Sequence, residues 1–117
     1  MATREIDREE WTSSLNEFNR RHEGKIASVQ EFGPGTLSHD EVRHLPFAGL
    51  IVEIDEGRAD SISVMLGTEV ADHVTHSITA PTEIWVRTGS DIMGEMLEIR
   101  SEDGRTMVLR FHQEQTF

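Results

Sequence analysis

The chain has 117 residues, 36% of them apolar and 28% charged, which suits one soluble domain built on a single hydrophobic core. Its 22 acidic and 11 basic residues give a formal net charge of −11, a surface that repels phosphate backbones and anionic lipid, so nucleic-acid binding is not expected. There is no cysteine, which excludes disulfides, thiolate metal sites, iron–sulfur clusters and a cysteine nucleophile. No apolar run approaches the roughly 18–20 residues of a membrane span. The N-terminus, M-A-T-R-E-I-D-R-E-E-W, lacks the apolar core of a secretory signal, and a cytoplasmic location is the expectation.

In chain order, the first element is a helix over about residues 8–22. Asp7 is placed to cap it, with Glu10 three residues on in a capping-box arrangement. Ile6 and Trp11 occupy the positions of a hydrophobic staple. Trp11, Leu15, Phe18 and His22 recur at helical spacing and form one narrow apolar stripe. Arg20 and Arg21 suit the negative end of the helix dipole, and Gly24 suits the left-handed residue that ends it.

Beyond Gly24 the pattern becomes that of short strands divided by turn residues. Strands are expected at 25–32, 41–45, 50–55, 62–66, 73–79, 83–88, 95–101 and 105–112, the second a short edge strand stopped by Pro46. Register follows from requiring opposed residues to share a face. A three-residue E-D-G loop puts Ile99 opposite Met107, Leu97 opposite Leu109 and Glu95 opposite Phe111. By the same logic Leu50, Val52 and Ile54 face Leu66, Val64 and Ile62, and an A-P-T loop sets His76 against Val86. The expected fold is α+β and mostly β. It is a single domain over residues 1–117, with one N-terminal helix and an antiparallel meander of about seven strands, curled or closed into a small barrel. Trp85 falls on the outer face with Glu83 and Arg87. There it needs a cover, first the helix and second another chain.

The stretch D-H-V-T-H-S-I-T invites a metal-ligand reading of His73 and His76. On a strand, however, residues three apart point to opposite faces, so the two form no bidentate pair. His76 lies on the apolar face between Val74 and Ile78, as a core histidine or as the polar anchor of a ligand site. His73 lies on the outer face with Thr75, Ser77 and Thr79. His39, Asp40, Glu41 and His44 make a second polar cluster, which lacks the H-E-x-x-H spacing of zinc catalysis and reads as a solvated segment. Neither G-x-S-x-G nor a phosphate-binding loop is present. No catalytic residue, metal site or cofactor is assigned.

Three stretches, R-E-I-D-R-E-E-W-T-S-S-L-N-E-F-N-R-R-H-E-G, D-H-V-T-H-S-I-T-A-P-T and L-E-I-R-S-E-D-G-R-T-M-V-L-R-F, resemble a family of small bacterial proteins of unknown function. Its members share an R-E-I-x-R-E-E-W helix, a D-H-x-T-H-x-I segment and a C-terminal D-G hairpin. The resemblance implies a bacterial, cytoplasmic, single-domain protein and transfers no site. The reading that follows is a small acidic non-enzymatic module acting by self-association, as a homodimer, or by binding a protein partner, with Trp85 and His73 as candidate interface residues. The alternative is a ligand-binding barrel anchored by His76, and a metal-assisted enzyme ranks last.

Overall fold

The computed structural model describes residues 2–33, 44–56, 58–67, 73–88 and 95–111. Strand β1 (Ala2–Glu5) leads through a 3₁₀ turn (Arg8–Glu10) into helix α1 (Trp11–His22). There follow β2 (Ile26–Phe32), β3 (Leu45–Asp55), β4 (Arg58–Leu66), β5 (Val74–Thr79), β6 (Pro81–Thr88), β7 (Glu95–Ser101) and β8 (Thr106–Phe111). The described strands form one antiparallel sheet in the order β1-β6-β7-β8-β2-β3-β4-β5. It curls over itself without closing, so a helix and a curled sheet are observed and a closed barrel is not. The expected meander is two three-stranded meanders, β3-β4-β5 and β6-β7-β8, stitched together by β2. The 41–45 strand is replaced by β3, which begins at Leu45; residues 41–43 lie outside the described residues.

The helix begins later than its capping pattern suggests. Asp7 makes no side-chain cap, and its carbonyl instead accepts the Glu10 N–H, closing the 3₁₀ turn. The staple residues do meet: Ile6 and Trp11 are buried, and the Trp11 indole N–H donates to the Ile6 carbonyl at 3.0 Å. Gly24 ends the helix at φ +86°, as its position requires. Trp11, Leu15, Phe18 and His22 all face the core.

The β7–β8 hairpin has the expected register, Leu97 with Leu109 and Ile99 with Met107, around a loop carrying Gly104 at φ +92°. The β3–β4 hairpin keeps the expected face at Leu50 and Val52 but slips by two residues, pairing Leu50 with Val64 and Val52 with Ile62. Ile54, expected inward, lies beyond a register shift opposite Ala59 and is 58% exposed. A tighter turn, with Asp55 opposite Arg58 and Glu56 at φ +51°, sets the register, and shifts at Phe47/Gly49 and Glu53/Ile54 adjust it. Alternation has period two, so a two-residue slip leaves it satisfied.

Pro46 does not stop a strand. It pairs with Ile26, and the next ladder bond comes from the Phe47 N–H to the Lys25 carbonyl, so the missing proline N–H is not needed. The A-P-T segment is not a hairpin loop either. Ala80, at φ +48°, is a corner whose N–H donates to Asp60 and whose carbonyl accepts from Glu102. There the chain leaves β5, paired with β4, for β6, paired with β1 and β7.

β3 pairs with β2 only at Leu45 and Pro46 and beyond that with β4 alone. Helix α1 fills the gap. The Asn19 amide donates to the Leu50 carbonyl at 2.9 Å and accepts the Leu50 N–H at 2.8 Å, standing in for a neighbouring strand. Between the two halves of the sheet lies one apolar core, with Phe18, Phe47, Val64, Leu97, Ile99 and Leu109 among its fully buried members.

Candidate functional site

The most tightly built polar cluster joins the end of the helix to the start of β7. The helical stripe delivers His22 into the core, where its ring stacks on Phe111 at 4.2 Å and lies 4.4 Å from Phe18. The inward alternation of β7, Glu95, Leu97, Ile99, brings the Glu95 carboxylate to the same place. Nε2 of His22 is 2.6 Å from Glu95 Oε1, and Arg21 reaches the same oxygen at 3.1 Å. A carboxylate only accepts, so Nε2 carries the proton. Among the described residues Nδ1 has no hydrogen-bond partner, which suits the lone pair of a neutral ring.

The electrostatics agree. Burial pushes the His22 pKa down and outweighs the opposing hydrogen bond to Glu95, with Lys25 and Arg21 adding to the depression. Burial alone would raise the Glu95 carboxyl, but hydrogen bonds from His22 and Arg21 hold it below the usual range. Only 5% of His22 is exposed, and the dyad ties the end of the helix to the start of β7.

His76 lies on the inner face as expected but opposite Val64 rather than Val86, because β5 and β6 do not pair. It is half-buried on β5, the last strand of the sheet among the described residues. A cleft of about 440 Å³ opens elsewhere, between Arg8 and the carboxylate-bearing residues Asp55, Glu56, Asp60 and Glu102, and His76 does not line it. On the inner face Val64, Ile99 and Leu109 are buried, with Val52 partly so. His73 is exposed just before β5. His44 is exposed, while His39, Asp40 and Glu41 lie outside the described residues. No group of metal-ligating side chains comes together among the described residues.

Trp85 is on the outer face, as expected, but the helix does not cover it, since α1 buries its stripe in the core on the other side of the sheet. The residue is half-buried among its own neighbours. Its indole N–H donates to Glu83 at 2.9 Å, and Arg100 lies over the ring at 5.8 Å. Glu98, opposite Trp85, accepts from Arg87 at 3.3 Å and from Arg100 at 2.7 Å. This ionic lattice gives an outward tryptophan its polar partner and sets one cation over its ring, leaving it half-buried.

A mostly β α+β domain, one helix seated in a curled eight-stranded antiparallel sheet, is thus the class that fold and core define. The chain belongs to the family of unknown function DUF5335, whose sequence model matches residues 2–117. Among solved structures it is similar to the YojF protein of Bacillus subtilis, with 11% identity and a TM-score of 0.53 over 100% of this chain and 99% of that one. At that identity the likeness is one of fold. No curated protein matches the chain. No helix among the described residues is long and apolar enough to cross a membrane.

Proposed function

We propose that the chain is a non-enzymatic module that acts by associating with a protein surface through the β3-β4-β5 half of its sheet. The observation that carries this reading is the charge on the outer face of those strands. Strand alternation puts Ile51, Met65, Thr75 and Ser77 there, exposed or half-buried and uncharged, with Gly49 and Ser63 buried among them, in a chain with 22 acidic residues. Glu53 and Asp55 enter only toward the β3–β4 turn. Ile51 is 47% exposed at the centre of this surface, and the hydroxyls of Ser63 and Ser77 bond to each other at 2.8 Å rather than reach outward. Charge depletion at the centre of a patch is the compositional mark of protein interfaces. The outer face of β6 and β7, by contrast, carries ion pairs made within the chain, Arg87 with Glu98 and Arg100 with Glu83 and Glu98.

Light scattering at low micromolar concentration is expected to give a particle mass above the 13.3 kDa of one chain, or a stoichiometric complex when cell extract is supplied. A strict monomer that retains no partner would contradict the reading.

A further inference from the structure

Resting on that association reading, we propose that the partner is a second copy of this chain, joined antiparallel through strand β5 about a two-fold axis at His76. Among the described residues β5 ends the sheet, and its six residues pair with β4 in unbroken register. Natural edge strands are protected by charge, proline, bulges or a covering segment. V-T-H-S-I-T has no charged side chain, no proline and no bulge. The opposite edge, β1, is four residues long and carries Arg4 and Glu5.

The backbone shows which groups are open. The Ala80 N–H bonds back to Asp60 on β4, so His76 and Ile78, in the same phase, also face β4. Thr79 faces away, and its carbonyl is taken by the Ser101 hydroxyl at 2.7 Å. Thr75 and Ser77 share the phase of Thr79 and present their N–H and C=O groups at the free edge.

The segment V-T-H-S-I is a palindrome in chemical type: apolar, hydroxyl, histidine, hydroxyl, apolar. Antiparallel self-pairing needs that symmetry. Centred on His76, it sets Thr75 against Ser77 of the second copy and Ser77 against Thr75, two hydrogen-bonded pairs with about four main-chain bonds. On the inner face Val74 meets Ile78, and His76 meets its own counterpart. His73 falls opposite Thr79, whose outward carbonyl is already used, and stays outside the ladder. Two chains of net charge −11 repel each other, and this edge brings them together without a carboxylate at the seam. The result is a two-fold, isologous contact.

The lack of cysteine makes the test direct. A central non-hydrogen-bonded pair has Cα atoms about 4.5 Å apart, inside the roughly 4.4–6.8 Å range of a disulfide. The whole chain carrying His76→Cys is expected to run as a covalent dimer after mild oxidation at micromolar concentration. Ser77→Cys is the control, since strand spacing and rise place its two copies about 8–9 Å apart, beyond that range. A native dimer whose H76C form fails to cross-link, or cross-links no better than S77C, overturns the β5 pairing and leaves association standing. A native monomer that binds nothing overturns both. If H76C does not fold, Ser77→Pro decides, because it removes an edge N–H without touching the β4 ladder. A folded S77P monomer supports the pairing, and a folded S77P dimer overturns it.

Discussion

Replacing Phe18 with alanine is expected to destabilise the protein by about 3–5 kcal/mol, the usual range for emptying an aromatic core site. Phe18 is 2% exposed and holds three aromatic neighbours in place: Phe47 at 6.2 Å, Phe111 at 5.5 Å and His22 at 4.4 Å. Those neighbours come from the start of β3, the end of β8 and the last turn of α1. The ring therefore joins the helix to both halves of the sheet. Single domains are stable by only about 5–15 kcal/mol, so the loss is a large part of the whole. Urea denaturation checks it. A midpoint shift equivalent to less than about 1 kcal/mol would mean that the helix is not seated in the core as described.

Stability is expected to fall as the pH drops through the range in which histidine takes up a proton, and His22→Phe is expected to flatten that slope. The folded protein holds His22 neutral, so its pKa lies below that of the unfolded chain. Between those two values the unfolded state binds more protons, and stability rises with pH. The contribution is complete above the unfolded value of 6.5 and disappears as pH falls through the depressed folded value. Glu95 acts in the same direction at lower pH. Its folded pKa is depressed from 4.5, so its contribution is present above that value and lost on further acidification. The groups facing the ring are Glu95 from β7, Arg21 from the helix and Lys25 after it. Phenylalanine keeps the stack on Phe111 and removes the titrating nitrogen, leaving Glu95 to Arg21. Melting curves from pH 7.5 to 5 compare the two proteins, and an unchanged slope in His22→Phe would place the titration elsewhere.

Much of this architecture is legible in the sequence because two periodicities, 3.6 and 2, survive in it. The stripe Trp11, Leu15, Phe18, His22 specified the buried face of the helix, and the D-G hairpin specified its own register. Face and register separate in β3–β4: alternating apolar residues decide which side is buried, whereas the turn geometry that decides the pairing leaves little trace. β1 escaped because A-T-R-E has no apolar alternation, its pairing being supplied by β6. Asn19 escaped for a related reason. Nothing local marks an amide that will substitute for a strand 31 residues away.

The His22–Glu95 tie was half visible. The hairpin register put Glu95 on the apolar face opposite Phe111, and a carboxylate among Leu97 and Ile99 signals a buried partner. That His22 is the partner follows only from where the helix docks. For Trp85, alternation places the ring on the outer face, whereas the docking of the helix on the opposite face has no local signal. The contacts with Glu83 and Arg100 depend on side chains two positions away and on the neighbouring strand.

Amide hydrogen exchange, residue by residue and at two protein concentrations, tests the central claim that β5 is an association edge. The Thr75 and Ser77 amides are expected to exchange slowly when the protein is concentrated and rapidly on dilution. The His76 and Ile78 amides, bonded to β4, are expected to stay protected throughout. Rapid exchange of Thr75 and Ser77 at every concentration would contradict the account.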